Sequence, residues 1–110
     1  MQNVTHISAD FAISPQITVE QLAKLKSAGF TTVICNRPDN EEGGQPSFAE
    51  IKAAAEAAGL EAHHIPIRPG QATEADVSAF DTALTTAKGK VLAYCRSGAR
   101  AQSLYAARPR

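Results

Sequence analysis

The stretch that decides the fold reads Val91-Leu-Ala-Tyr-Cys95-Arg-Ser-Gly98-Ala-Arg100. Its first four residues are apolar or aromatic, and they predict a buried β-strand over residues 91–94. The cysteine leaves that strand, a short loop with Gly98 follows, and Arg100 stands where a helix begins. A strand that turns directly into a helix is typical of an α/β protein with a mainly parallel sheet.

Upstream of this stretch, helices alternate with short apolar runs. Each predicted helix begins at a Ser or Thr of a capping box and ends at or near a glycine. The three helices are predicted from Thr18 to Gly29, from Ser47 to Gly59 and from Thr73 to near Gly89. Further strands are predicted over residues 31–35 and 63–67, and residues 4–7 and 11–13 are predicted to form a hairpin at the edge of the sheet.

The predicted fold is therefore α/β, with a mainly parallel sheet flanked by helices and an N-terminal β-hairpin. Pro66 has no N–H to donate, which indicates that its strand is short, bulged or peripheral. We expect a single domain over residues 1–110, because the length is near the modal domain size and no linker or repeat divides the chain.

The charge distribution is uneven although the formal net charge is zero. The zero balance excludes recognition of nucleic acid or membranes by bulk positive charge. Residues 1–81 hold all eleven acids and five bases, a charge of −6, whereas residues 82–110 hold six bases and no acid. This basic end is either a solvated surface or, in part, an anion site at Cys95. Its members are Lys88, Lys90, Arg96, Arg100, Arg108 and Arg110.

The cysteines and histidines limit the kind of site that is expected. Two cysteines, Cys35 and Cys95, are too few for a disulfide framework, and His6, His63 and His64 lack the spacing of zinc ligands. We therefore expect no metal, no cofactor and a reducing, cytoplasmic setting. The sequence shows no export signal, and no apolar run approaches the roughly 18 residues that span a bilayer.

The position of Cys95 favours a reactive cysteine. In open α/β sheets ligands bind beyond the carboxyl ends of strands, where a helix N-terminus offers free N–H groups and the positive end of its dipole. That field and the charge of Arg100 would stabilise the thiolate, which is the nucleophilic form. Gly98 would let the loop amides point inward as an anion nest. An inert, buried Cys95 is the alternative, and the combination of strand, turn, arginine and helix disfavours it.

Other residues are assigned supporting roles. Arg96, Ser97, Gly98 and Ala99 are predicted to bind the substrate through their amides, and the Ser97 hydroxyl would donate to a bound anion or to the thiolate. Arg37 either binds an anionic substrate or forms a surface ion pair with Asp39 or Glu41. Cys35 is either a resolving thiol for Cys95 or a packed residue. Of His63 and His64, one is expected to be packed and the other exposed. The irregular segment over residues 36–46 is either functional or simply solvated.

The sequence resembles two neighbouring families. The loop from Cys95 to Arg100 resembles the active-site loop of rhodaneses, which are sulfurtransferases with four residues between cysteine and arginine. The order of the elements, with Asn36-Arg-Pro-Asp39 and Ser14-Pro-Gln16, resembles the dual-specificity and tyrosine phosphatase fold. Together they resemble the phosphatase-like domain of beta-lactamase-hydrolase-like proteins (domain of unknown function 442), a group associated with sulfide handling.

The resemblance implies two chemistries, and two departures favour sulfur transfer. Phosphatases of this fold place five residues between cysteine and arginine, and the arginine of that register would fall at Ala101. Their general acid is an aspartate after the third main strand, whereas residues 67–72 contain none. Glu74 and Asp76 are better explained as first-turn residues of a helix. Since sulfite leaves without protonation, we expect a Cys95 persulfide, with Arg100 as the catalytic arginine. Phosphomonoester hydrolysis and a non-catalytic anion-binding or redox-sensing module are the alternatives.

The expected partners follow from that chemistry. They are a small anionic substrate and a thiol acceptor, with no nucleic acid and no membrane. Phosphatases of this fold continue with more helices where this sequence ends, so a homodimer or a partner enzyme of sulfur metabolism is also expected.

Overall fold

Five strands and four helices alternate along residues 3–109, the part of the chain that the computed structural model describes. The strands are β1 (Thr5–His6), β2 (Phe11–Ser14), β3 (Phe30–Cys35), β4 (Glu61–His64) and β5 (Lys90–Tyr94). The helices are α1 (Gln21–Ser27), α2 (Phe48–Ala58), α3 (Glu74–Thr86) and α4 (Ala99–Ala107). Arg110, assigned above to the basic end, lies outside the described residues.

The strands form one sheet in the order β1-β2-β5-β3-β4. The pairs β2–β5, β5–β3 and β3–β4 are parallel, and only the β1–β2 hairpin is antiparallel. The predicted α/β class and the N-terminal hairpin are therefore confirmed. Because β5 lies between β2 and β3, the residues that follow Ser14, Cys35 and Tyr94 meet at one edge of the sheet.

Helices cover both faces of the sheet. Helices α1 and α2 pack on one face through Leu22, Leu25, Ile51 and Ala55. Helices α3 and α4 pack on the other through Phe80, Ala83, Ala101 and Leu104. Strand β5 is held rigidly because both of its faces are covered by apolar side chains. The loop that begins at Cys95 therefore leaves the sheet from a fixed position.

Two of the three predicted capping boxes are complete. The hydroxyls of Ser47 and Thr73 accept N–H bonds from residues three positions on, whose carboxylates accept in return. At Thr18 only half of the box forms: its N–H donates to the Gln21 side chain, and a turn precedes the helix. Helix α1 therefore starts at Gln21, later than predicted, and Gly29 follows it in a left-handed conformation as expected.

Two boundaries differ from the prediction. Helix α3 ends at Thr86, and Gly89 is required for close approach, because a Cβ there would lie 2.8 Å from Thr31 Cγ2. Strand β4 covers residues 61–64, two positions before the predicted span of 63–67. Regular strand pairing ends before Pro66, because proline has no N–H to donate to the neighbouring strand. Strand β4 is also an edge strand, so the predicted peripheral position is confirmed.

No helix among residues 3–109 combines the length and the apolar character that a membrane crossing requires.

Candidate active site

Cys95 directly follows the central strand β5 and is fully buried. Its N–H donates to the Ser14 carbonyl at 3.4 Å, which continues the pairing with β2. Its Sγ accepts the Gly98 N–H at 3.0 Å. The backbone therefore fixes both ends of this residue, and one loop amide already points at the sulfur, as an anion-binding loop requires.

Gly98 allows that loop to close. It is the N-cap of α4 and adopts φ +96°, a left-handed conformation that an L-residue reaches only with strain. The Ser97 hydroxyl accepts the Ala99 N–H at 3.3 Å, so in this structure it supports the turn. The Arg96 side chain is exposed. The roles predicted for the amides of residues 96–99 stay predictions, although the turn has the predicted form.

Arg100 lies in the first turn of α4 and points back towards the sheet edge. Its two terminal nitrogens donate to the two oxygens of Glu41, each at 2.8 Å, and Nη1 also donates to the Ile67 carbonyl at 2.8 Å. The hydrogen bond to Glu41 is the main cause that raises the pKa of Arg100, and the nearby Cys95 sulfur adds to it. The arginine is thus fixed beside Cys95.

Glu41 is the site residue that sequence reasoning did not place at Cys95. It comes from the loop over residues 36–46, and it accepts from Arg37 Nε at 3.0 Å as well as from Arg100. Arg100 and, after it, Arg37 hold the pKa of this carboxyl below its usual value, although burial opposes them. The irregular loop was the available sequence signal, but no local pattern indicates contact across 59 positions.

Arg37 differs from the expectation of a surface ion pair. The pair with Glu41 forms, but the Arg37 side chain is completely buried. Its Nη1 donates to the Gln16 side chain at 3.0 Å, and its Nη2 lies 3.6 Å from Glu42 without a hydrogen bond. Direct contact between Arg37 and a substrate stays a prediction, and the contacts here are with protein groups.

Glu42 also reaches the loop of Cys95. One oxygen lies 3.5 Å from Arg96 Nη2, in a pair between two exposed side chains. The basic end of the sequence is therefore opposed by carboxylates from the acidic part, which the charge distribution along the chain did not indicate. No acid follows Asp81 in the sequence, but the fold brings Glu41 and Glu42 to the arginines of the basic end.

The two acids nearest in sequence to the expected general-acid position serve the helix. Asp76 accepts the Thr73 N–H at 2.9 Å within the capping box, and Glu74 is the exposed first residue of α3. The structure thus supports the interpretation of both as first-turn residues. The carboxylate that pairs with Arg100 beside Cys95 is instead Glu41, which accepts hydrogen bonds from two arginines and whose pKa Arg100 lowers.

Cys35 lies apart from the loop of Cys95. It pairs with Tyr94 in the ladder, so both side chains share the face covered by α1 and α2. Cys95 follows Tyr94 and starts on the opposite face, which disfavours a resolving role for Cys35. Burial raises the pKa of the Cys35 thiol, whose S–H donates to the Arg37 carbonyl at 3.4 Å.

His63 and His64 are both half-buried, so the expectation that one is packed and the other exposed is wrong. His64 stacks on Phe48, with 4.5 Å between ring centroids, and its Nε2 lies 2.9 Å from the Arg37 carbonyl. Because a carbonyl only accepts, Nε2 carries the proton in this contact. Among residues 3–109, no three His, Cys, Asp or Glu side chains approach as a metal-binding group.

This arrangement can perform cysteine chemistry on an anion. A buried sulfur, a loop amide and a fixed arginine converge at a helix N-terminus, where negative charge is stabilised.

Comparison with known proteins finds a matching family. The family described as "Beta-lactamase hydrolase-like protein, phosphatase-like domain" matches residues 3–108. A beta-lactamase hydrolase-like protein of Xylella fastidiosa (strain Temecula1) is 39% identical over 103 residues, which are 94% of this chain and 24% of that protein. The chain therefore spans about a quarter of the length of such a relative.

Solved structures share the fold. A protein described as a candidate phosphatase from Neisseria meningitidis is 38% identical, with a TM-score of 0.87 over 96% of this chain and 75% of that one. The fold extends to Tk-PTP, at 22% identity and a TM-score of 0.64 over 88% of this chain and 64% of that one. It also extends to kinase associated phosphatase with its catalytic cysteine replaced by serine. That structure is 17% identical, with a TM-score of 0.58 over 80% of this chain and 57% of that one. The fold is tyrosine and dual-specificity phosphatase-like.

Proposed function

The chain belongs to the phosphatase-like domain family of beta-lactamase hydrolase-like proteins, and from that premise we propose that it is a sulfurtransferase that carries sulfur as a persulfide on Cys95. The observation that carries the proposal is that Glu41 is held as a carboxylate by two arginines. This carboxylate accepts three hydrogen bonds from two arginines, and its pKa is lowered. It is therefore a poor proton donor, and the preferred reaction is one whose leaving group needs no proton.

Sulfur transfer meets that requirement. The Cys95 thiolate attacks the outer sulfur of thiosulfate, the S–S bond breaks, and sulfite leaves with the bonding electron pair. An acceptor thiolate then attacks the terminal sulfur of the persulfide, and the Cys95 thiolate is regenerated. Total charge is conserved in both steps, and neither step requires an external oxidant or reductant.

The roles of the other residues follow from their positions. Arg100, fixed by Glu41 and Ile67, would bind the anionic end of the donor. The amides of residues 96–99 would surround the transferred sulfur or the departing sulfite. Because Cys95 has no exposed surface, a small donor such as thiosulfate or a low-molecular-weight persulfide is favoured over a protein side chain. The acceptor would, by the same argument, be a small thiol.

Phosphomonoester hydrolysis is the second candidate, and the likeness to phosphatase folds favours it. In that reaction Cys95 would attack phosphorus and the ester oxygen would leave. Without a proton donor, only esters with weakly basic leaving groups, such as aryl phosphates, would turn over at a useful rate.

Intact mass spectrometry after incubation with thiosulfate tests the proposal. One transferred sulfur adds about 32 Da. The adduct is expected on the wild type and on Cys35→Ser, and it is expected to be absent from Cys95→Ser. An unmodified wild type, or an equal adduct on Cys95→Ser, rejects the proposal.

A parallel assay separates the two candidates. The same three proteins are mixed with an aryl phosphate, and release of the phenol is followed. Cys95-dependent phenol release without any persulfide replaces sulfur transfer by phosphatase activity. If neither reaction exceeds background, the remaining interpretation is an anion-binding module without turnover.

A further inference from the structure

The most unusual side chain of the site is Arg37, a fully buried arginine whose task is not explained by core packing. A buried guanidinium loses its hydration, so its position is costly unless it is paired and hydrogen-bonded. Arg37 meets that condition with one bond to Gln16 and one to Glu41, but its Nη2 keeps no hydrogen-bond partner among the described residues. A neutral side chain of similar volume would fill the same space without the loss of hydration. The charge and the hydrogen-bonding geometry of the Arg37 guanidinium therefore indicate a role beyond packing.

The backbone of Arg37 is held as firmly as its side chain. Its carbonyl accepts from both the Cys35 thiol and the His64 ring. Gln16, which fixes Nη1, belongs to the segment that leaves β2 next to Cys95. Arg37 is therefore a fixed point between two strand ends.

That fixed point sets the orientation of Glu41. Arg37 Nε and Arg100 Nη2 share the Oε1 oxygen of Glu41, at 3.0 and 2.8 Å. The other oxygen, Oε2, accepts only from Arg100. Arg37 thus fixes the orientation of the Glu41 carboxylate. In that orientation both carboxylate oxygens face the two terminal nitrogens of Arg100.

We propose that Arg37 is a positioning residue, which fixes Glu41 and through it holds Arg100 against Cys95. The side-chain nitrogens of Arg37 are directed at protein groups rather than at a dissolved anion: Nε donates to Glu41, Nη1 donates to Gln16, and Nη2 lies 3.6 Å from Glu42. Its effect on an anionic reactant is therefore transmitted through Glu41 and Arg100. A lysine would not replace it, since a single ammonium cannot donate to Gln16 and Glu41 with the geometry of the guanidinium.

Alkylation of Cys95 by two reagents tests this inference. Iodoacetate is an anion and iodoacetamide is its neutral analogue, so the ratio of their rates at Cys95 measures the attraction of the site for negative charge. Peptide mass spectrometry reads Cys95 separately from Cys35. The inference rests on the proposed reactivity of Cys95, but alkylation needs no sulfur donor. A protein that forms no persulfide can therefore still show the dependence on Arg37.

Arg37→Met is expected to lower the iodoacetate-to-iodoacetamide ratio about tenfold, the weight of one hydrogen bond between charged groups. Arg100→Met is expected to lower it by at least as much, and the double variant no further than Arg100→Met alone. Arg108→Met is the matched control, because it removes an arginine, with its contacts to Asp81 and Tyr105, at the other end of α4. Its ratio is expected to stay at the wild-type value.

Three results would overturn the inference. An unchanged ratio in Arg37→Met, even with a lower melting temperature, would make Arg37 a structural residue only. If the iodoacetate-to-iodoacetamide ratio of the double variant falls by the product of the two single fold-changes, Arg37 attracts the anion independently of Arg100. An unchanged ratio in Arg100→Met would remove the group through which Arg37 acts. If Arg37→Met does not fold, Arg37→Lys carries the same comparison, because it keeps the charge and loses the fork.

Discussion

Glu41 and Arg100 are 59 positions apart in the chain and meet through two hydrogen bonds of 2.8 Å each. This pair joins the loop over residues 36–46 to the first turn of α4. It also connects the acidic part of the sequence with the basic end.

Replacing Glu41 by alanine should affect both stability and reactivity. Arg100 would keep only its bond to Ile67, and the buried Arg37 would lose its nearest carboxylate. We expect a loss of about 3 kcal/mol in the free energy of unfolding, as for a broken buried pair. Persulfide formation should slow about tenfold. Urea unfolding and timed mass spectra measure the two effects.

The exposed Glu56 on α2 provides the control for that experiment. Glu56→Ala should change the stability by no more than about 0.5 kcal/mol and leave persulfide formation unaltered. Equal losses in the two variants would contradict a special role for Glu41.

The stability contributed by Glu41 should depend on pH. Its pKa in the folded protein lies below the ordinary 4.5, first because Arg100 donates to the ionised carboxylate. A depressed pKa means that the contribution is complete above pH 4.5 and is lost as the pH falls through the folded value. The difference in melting temperature between wild type and Glu41→Gln should therefore be constant from about pH 7 to 5 and shrink towards about pH 3.5. A difference that grows on acidification would contradict this.

Gly98→Ala should disturb the sulfur as well as the backbone. Its φ of +96° costs an alanine about 1–2 kcal/mol, while the new Cβ would meet the Ser14 carbonyl at an ordinary 3.5 Å. Strain should therefore move the loop and weaken the bond from the Gly98 N–H to Cys95 Sγ. We expect slower alkylation of Cys95 by iodoacetamide.

Gly44→Ala is a matched control for that variant. Gly44 also has a positive φ, +77°, and an added Cβ would meet no atom within 4 Å. It should lose similar stability and leave Cys95 alkylation unchanged. A similar loss of Cys95 reactivity in both variants would show that reactivity follows general stability rather than the local turn.

Cys35 should be unreactive in the folded protein. Burial raises the pKa of its thiol, and its S–H is held by the Arg37 carbonyl. In Cys95→Ser, iodoacetamide at about pH 8 should therefore label Cys35 only after urea is added. Rapid labelling without urea, or a disulfide between Cys35 and Cys95 in the oxidised wild type, would contradict this separation of the two thiols.

Local signals account for what the sequence predicted well. The strand, Gly98, Arg100 and α4 follow one another within residues 90–107, and each preference acts within a turn or two. The capping boxes at Ser47 and Thr73 are equally local. Thr18 satisfied the same pattern, but a turn after it delays the helix to Gln21.

Long-range contacts account for what the sequence did not predict. Glu41 reaches Arg100 only because β5 and β3 are neighbours in the sheet, and neither residue carries a local mark of that pairing. The burial of Arg37 follows from the same neighbourhood. Charge counted along the chain shows no acid after Asp81, whereas the fold pairs Arg96 with Glu42 and Arg100 with Glu41.

The contacts around Cys95 come from four separated parts of the chain, at Ser14 to Gln16, Arg37 to Glu41, Ile67, and the loop that ends at Arg100. A chain in which β2, β3 and β5 have not yet paired brings none of these parts together, and its Cys95 is an ordinary thiol. The surroundings proposed to activate Cys95 thus form only with the long-range strand pairing, which is slow to form. Unfolded copies of the protein would accordingly expose Cys35 and Cys95 as two equivalent thiols, without the arginine and the loop amides that distinguish Cys95 in the fold.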